Sequence, residues 1–174
     1  MESKLEQFDI CIIGGGVNGC GIARDAAGRG YTVLLLEQGD LASATSSKST
    51  KLIHGGLRYL EQYEFRLVRE SLIERNKLIN IAPHIIWPME FILPHEEYIR
   101  PYWFIRLGLY LYDALGLTGQ YTKFKSSRGI DLSSSKYGVG LKHKNRKALC
   151  YSDAWVEDSR LVLQMPDQPM IKAQ

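Results

Sequence analysis

The sequence predicts an α/β fold organised around a strand–helix–strand unit near its start, and three observations carry that prediction. Phe8 to Ile13 is a short apolar, β-branched run bounded by glycines, which reads as a buried strand. Gly14-Gly15-Gly16-Val17-Asn18-Gly19 then fits the spacing G-x-G-x-x-G and opens an Ala- and Gly-rich helical pattern that runs to about Arg29, where Gly30 closes it. Tyr31 to Leu36 is a second buried strand, ending in Glu37. Together these make a Rossmann-like dinucleotide site. Gly14 permits the tight turn, Gly16 lets a pyrophosphate approach the backbone, and Gly19 lets helix and strand pack closely. The free N–H groups and positive dipole end at the helix start favour phosphate. Glu37 follows at about the 20-residue spacing from which an acid accepts hydrogen bonds from the adenosine ribose hydroxyls.

With 174 residues, the chain is one domain by length or a piece of a larger one, and long enough to bury a core. Its 22 basic and 19 acidic residues give a net charge of +3, a balance that offers no case for nucleic acid. Cys11, Cys20 and Cys150 lack C-x-x-C spacing and are odd in number, so they read as reduced core thiols of a cytosolic protein. His54, His84, His95 and His143 show no metal-ligand spacing, and no metal is expected. The polar start, MESKLEQ, lacks the apolar region of a secretory signal, and no apolar run reaches the length of a membrane span.

Gln38 to Thr50, QGDLASATSSKST, has the composition of a flexible linker. It also follows the ribose acid directly and runs into Lys51-Leu52-Ile53-His54-Gly55-Gly56-Leu57-Arg58-Tyr59-Leu60, where paired glycines and small hydroxyl residues allow backbone to approach a flat, phosphate-bearing ligand. A solvated surface loop is the competing reading.

Three stretches, IIGGGVNGCGIARDAAGRGYTVLLLE, ATSSKSTKLIHGGLRYLE and YSDAWVEDSRLVL, resemble the aerobic, FAD-dependent glycerol-3-phosphate dehydrogenase family. The resemblance runs from about Asp9 to Leu163, nearly the whole chain but roughly the first third of the family's length. It implies a glutathione-reductase-like FAD-binding domain, incomplete in this chain. Members of that family oxidise sn-glycerol 3-phosphate to dihydroxyacetone phosphate and pass electrons through FAD to a quinone. The implied location is the cytoplasm or the cytoplasmic face of the inner membrane, with a homodimer for the full-length parent.

Carried over by position, the resemblance assigns the ADP half of FAD to Gly14, Gly16, Asn18, Gly19 and Glu37. Thr45, Ser46, Ser47, Lys51, Leu52, His54, Gly55 and Gly56 would line the path from the ribityl chain to the isoalloxazine. Arg58 would meet the substrate phosphate, with Tyr59 beside it, since a guanidinium offers phosphate a bidentate, charge-assisted fork. A solvated arginine at a helix start is the alternative for Arg58. His54 reads either as a flavin contact or as a structural histidine, and no base for the substrate hydroxyl is recognisable.

The remaining elements follow in order. Leu60 to Ala82 reads as a helix ended by Pro83, with Phe65, Val68, Leu72 and Ile79 on one stripe and Arg66 paired with Glu70 outside. Ile85 to Leu93 reads as a turn and a short strand from Glu90 to Leu93. Arg100 to Gly116 is the most apolar region; Pro101 suits a first helical position and Gly116 a stop. It reads either as a buried helix or as an interfacial membrane element anchored by Trp103, Tyr110 and Tyr112. Residues 120–149 read as loops with a short helix around Leu132 to Tyr137, and KHKNRK from Lys142 to Lys147 as a solvated loop or a lipid-binding patch. YSDAW then gives a strand or turn, followed by an acid-capped helix from about Val156.

The resemblance thus implies that residues 1–164 form the N-terminal part of an FAD-binding domain and 165–174 a tail foreign to the family. Pro166 and Pro169 fall where a helix should continue. Read one base earlier, the codons behind this tail permit an Asn-Ala-rich, Gly-terminated helix, so a frameshift after Gln164 and a truncated, inactive product are expected. Another FAD-dependent amine or hydroxy-acid oxidoreductase, or a non-catalytic flavin-binding remnant, are the other readings; an NAD enzyme has no use for TSS…KLIHGGLRYL. Resequencing across codon 164 should reveal a lost or gained base and a long downstream frame; a clean stop with no coding sequence beyond it would remove the frameshift explanation.

Overall fold

The computed structural model describes residues 7–96, 98, 100–117, 124–142 and 147–165. They divide into two compact units, one running to Lys51 and resuming at Val156, the other spanning Leu52–Trp155.

In the first unit, β1 (Ile10–Ile13) pairs in parallel with β2 (Val33–Leu36), with Ile10 opposite Val33 and Ile13 opposite Leu36. Between them runs α1 (Val17–Gly28), and α4 (Asp158–Leu163) packs beside it. Gly30, at φ +90°, ends α1 in the left-handed conformation that favours glycine, and Tyr31 N–H reaches back to the Ala26 carbonyl. Ile12, Cys20, Ala23, Leu35, Ala42 and Val162 form the core, with Met165 against it. The rest of the expected foreign tail lies outside the described residues. The strands are narrower than expected, and only one face is buried. Ile13 is 87% exposed, and Cys11 is an exposed free thiol, not a core one, because α1 covers the opposite face alone. Cys20 and Cys150 are buried free thiols.

The second unit is a four-stranded sheet with two long helices. Its order is β3 (Leu52–Ile53), β6 (Lys147–Val156), β4 (Ile86–Pro94), with β5 (Arg128–Asp131) pairing antiparallel to β6. β6 is buried at all but three of its positions, as a central strand is. Pro88 sits in β4, at the sheet edge, where a missing N–H costs no ladder bond. β4 is longer than the expected Glu90–Leu93 strand, and β5 replaces an expected loop.

The expected single helix from Leu60 is instead a 3-10 turn, Leu57–Gln62, followed by α2 (Phe65–Ile81). Tyr63, at φ 60°, separates them. Val68, Leu72 and Ile79 are buried as the stripe predicts, whereas Phe65 is 40% exposed. Arg66 and Glu70 pair outside at 2.8 Å. α3 (Tyr102–Gly116) begins one residue after Pro101 and buries Leu109, Tyr112 and Gly116. Trp103 and Tyr110 lie exposed, but Tyr112, 2% exposed, is a core residue and not a surface anchor. Among the described residues no helix is long and apolar enough to cross a membrane. The short helix expected around Leu132 to Tyr137 is a 3-10 turn at Lys136–Gly138, and most of KHKNRK lies outside the described residues.

Leu72 is fully buried against Val68 and Tyr112, so Leu72→Ala should cost about 2–5 kcal/mol through lost contacts and a cavity. Urea unfolding of the full-length protein measures this; a loss well under 1 kcal/mol would show that the site collapses freely.

Candidate functional site

The first unit builds a cradle at the N-terminus of α1. Gly14 turns the chain at φ +109°, and a Cβ on Gly19 would lie 1.9 Å from the Gly14 carbonyl oxygen, so helix and turn meet only because Gly19 is bare. Gly16 occupies the N-cap, with no side-chain cap of its own. The Ser46 hydroxyl lies over this end and accepts from Val17 N–H at 2.9 Å. Asn18 follows, exposed in the first turn. A helix start with small residues and a nearby hydroxyl has the chemistry to accommodate a phosphate.

Glu37 stands at the end of β2, where its Oε2 accepts from Gly15 N–H at 2.6 Å and its Oε1 from Gly39 N–H at 2.9 Å. These bonds, the Gly15 one foremost, hold its carboxyl below the ordinary value of 4.5, so it is a carboxylate at neutral pH. Each oxygen retains lone-pair capacity for a hydroxyl donor. Thr45, Ser46 and Ser47 form a single 3-10 turn, with the Ser47 hydroxyl donating to the Ala44 carbonyl.

Lys51 closes the first unit. Its φ is +58°, and its ammonium is held by Asp158 Oδ1, while Ser49 Oγ donates to Asp158 Oδ2 at 2.7 Å. Burial pushes the Asp158 carboxyl up, but Lys51, Ser49 and Ser159 N–H outweigh it and bring it to about 2.

The second unit lines an open cavity of about 1160 Å³, somewhat above the roughly 300–1,000 Å³ usual for small-molecule and cofactor sites. Leu52, His54, Gly56, Arg58 and Tyr59 line one side. Stacked Phe91 and Tyr151, 5.2 Å apart, form an aromatic part of the wall. Gly56 adopts φ +69° and leaves no room for a Cβ, which would meet the Tyr59 ring at 2.5 Å. Its N–H donates to His54 Nδ1 at 2.9 Å, so neutral His54 carries its proton on Nε2. His54 therefore presents a donor, not a base, at its outer nitrogen. Arg58 is exposed on the cavity wall and has no ion-pair or hydrogen-bond partner among the described residues. Arg100, also on the wall, is committed to Glu61 at 3.4 Å.

Gly55 is buried behind this turn, and its N–H donates to the Tyr112 hydroxyl at 2.7 Å. Tyr112 donates to Asp153, which also receives Arg75 Nη1 at 2.6 Å. Sequence reasoning missed all three residues. Arg75 carried a signal, because it falls on the same helical stripe as Val68, Leu72 and Ile79, where a charge needs a buried partner. Among the described residues no cluster of three or more His, Cys, Asp or Glu could hold a metal ion.

The profile of the DAO family, FAD dependent oxidoreductase, matches residues 9–167. D-erythritol 1-phosphate dehydrogenase of Brucella abortus is 58% identical over 160 residues, covering 92% of this chain and 31% of that protein. Aerobic glycerol-3-phosphate dehydrogenase of Escherichia coli is 55% identical over 159 residues, covering 91% of this chain and 30% of that protein. The crystal structure of a glycerol-3-phosphate dehydrogenase from Bacillus halodurans complexed with FAD superposes with a TM-score of 0.56 at 25% identity, covering 98% of this chain and 27% of that one. The chain thus spans about a third of the length of the curated relatives it matches, and the α/β fold class expected from the sequence is that of these neighbours, present here in part.

Asp158 should stabilise the fold fully above its ordinary value of 3.8 and lose that contribution as pH falls through about 2. The unfolding midpoint of Asp158→Asn should fall less steeply than that of the unaltered protein over this window; equal slopes would show that the Lys51–Asp158 pair contributes nothing.

Proposed function

The chain belongs to the FAD-dependent oxidoreductase family, and on that premise we propose that it carries the FAD-binding start of a dehydrogenase for sn-glycerol 3-phosphate. The ADP half of FAD would rest on Gly14, Gly16, Asn18 and Gly19, with the Glu37 carboxylate taking the ribose hydroxyls. The glycine-rich start of α1, with Gly16 at its N-cap, and the ionised Glu37 fit that group. When bound, FAD supplies the acceptor for a hydride from the carbon bearing the substrate hydroxyl.

The observation that carries the substrate reading is the exposed, unpaired guanidinium of Arg58 on the wall of the cavity. An exposed cation without an anion is what a phosphate ester would complete. Tyr59 stands beside it, and His54 Nε2–H can donate to a substrate or cofactor oxygen within the same cavity. Oxidation to dihydroxyacetone phosphate, electron transfer to quinone, a peripheral position on the cytoplasmic face of the inner membrane and a homodimer belong to the proposal for the full-length protein. So does the division into residues 1–164 and a foreign tail.

A second substrate reading has a specific support. The relative that is 58% identical is a D-erythritol 1-phosphate dehydrogenase, and the cavity would accept a longer phosphorylated polyol by the same contact with Arg58.

The test is anaerobic flavin reduction in the full-length, FAD-loaded protein. sn-Glycerol 3-phosphate should bleach the flavin, and Arg58→Ala should raise KM about 10- to 100-fold, the loss of a charge-assisted hydrogen-bonded contact. Bleaching by D-erythritol 1-phosphate alone would shift the proposal to the longer polyol. Reduction only by an amine or hydroxy acid, or flavin retained with no reduction at all, would overturn it.

A further inference from the structure

We propose that Tyr112 is a positioning residue for the substrate phosphate: its hydroxyl, anchored on Asp153, fixes the Gly55 peptide and so sets the direction in which Arg58 leaves the backbone. The inference rests on the reading of Arg58 as the phosphate contact.

The chain of bonds is directional. Gly55 N–H donates to the Tyr112 oxygen at 2.7 Å, so the hydroxyl proton is free to go only onward, to Asp153 Oδ1 at 2.9 Å and Oδ2 at 3.0 Å. Asp153 is held in turn by Arg75 Nη1 at 2.6 Å, and Arg75 Nη1 also donates to the Ser152 carbonyl at 3.2 Å. Tyr112, Asp153 and Arg75 are 2%, 3% and 4% exposed, so no water competes for these bonds. A tyrosine needed only for packing would not require its hydroxyl to bridge a backbone amide and a buried carboxylate. Burial raises both the Tyr112 phenol and the Asp153 carboxyl, the latter against the pull of Arg75.

What the bridge holds is short and stiff. The Gly55 backbone lies flat against Leu72 and Tyr112; a Cβ there would fall 2.5 Å from Leu72 and 2.8 Å from the Tyr112 oxygen. The next residue, Gly56, is left-handed, with its N–H on His54 Nδ1 and its carbonyl receiving Tyr59 N–H at 2.8 Å. Both peptides flanking Gly55 and Gly56 are therefore tied. Arg58 comes two residues later, in the first turn of the 3-10 segment that Gly56 caps. A shift of the Gly55 peptide carries the whole turn, and with it the guanidinium.

The experiment compares Tyr112→Phe, Arg58→Ala and the double variant in the full-length, FAD-loaded protein, with inorganic phosphate as competitive inhibitor. Tyr112→Phe should raise KM for sn-glycerol 3-phosphate and weaken phosphate inhibition by the same factor, about tenfold, with kcat within about twofold. In the double variant KM should match that of Arg58→Ala alone, because Tyr112 acts through Arg58. An unchanged KM in Tyr112→Phe, a loss confined to kcat, or factors that multiply in the double variant would overturn the inference. A neutral Arg58→Ala would overturn the phosphate reading beneath it, a distinct result. Should Tyr112→Phe fail to accumulate, Asp153→Asn keeps an acceptor for the hydroxyl while removing its charge. It should show a smaller shift in the same direction, and no shift would count against the inference.

Discussion

The buried pair of Arg75 and Asp153 is the interaction on which the second unit turns. Removing two charges from water costs several kcal/mol each, and their attraction offsets this only when the remaining hydrogen-bonding capacity is used. Here Asp153 takes Arg75 and the Tyr112 hydroxyl, while Arg75 also bonds Ser152 and Asn76 and lies over the Phe124 ring at 3.8 Å. Among the described residues, only Arg75 Nε is a buried side-chain polar atom without a partner. The cost makes sense as specification. One carboxylate on β6 fixes α2 through Arg75, α3 through Tyr112 and the glycine turn through Tyr112 again, so three separate elements share one point of reference. Apolar packing alone would leave the rotation of each helix looser.

The first unit solves a different problem, how to expose backbone amides at a helix start without leaving the turn slack. Glu37 answers part of it, spending one bond on Gly15 and another on Gly39. That arrangement makes the carboxylate both a strut of the turn and an acceptor facing the same region. Lys51 and Asp158 answer the rest. They are far apart in sequence but adjacent in space, and together with Ser49 they secure the loop after β2 to the start of α4. One ammonium contact goes to Asp158, and the side chain, 36% exposed, keeps further N–H donors.

Much of this was legible in the sequence, and the rest was hidden for physical reasons. The glycine turn, α1 and Glu37 could be read because each depends on local geometry: a bare Cα, a helix end, an acid at the close of a strand. The stripe of α2 was likewise visible, since Val68, Leu72 and Ile79 repeat at the helical period. β6 was half hidden, because Ser152 and Asp153 interrupt its apolar run and their partner Arg75 lies 78 residues away for Asp153. The break at Tyr63 was invisible because a tyrosine at φ 60° goes against local preference, and its side chain, 79% exposed, leaves no packing signal in the sequence pattern. Whether Tyr112 was a core ring or a surface anchor stayed open in the sequence, because the aromatics around it on α3, Trp103 and Tyr110, do face outward. One helical register separates an interfacial ring from a core one, and composition cannot tell them apart.

The same geometry constrains what His54 can do. Its Nδ1 is the acceptor for Gly56 N–H, so a proton placed there would expel the amide and release the left-handed residue that caps the Arg58 turn. The turn and the neutral, Nε2-protonated form of His54 are therefore one state. In that state the outer nitrogen can steady an oxygen but cannot take a proton from it. Of the described carboxylates on the cavity wall, Asp153 is held by Arg75 and Tyr112, and Glu61 is paired with Arg100. The wall thus presents donors at His54 Nε2 and Arg58, while both of its described carboxylates are already partnered.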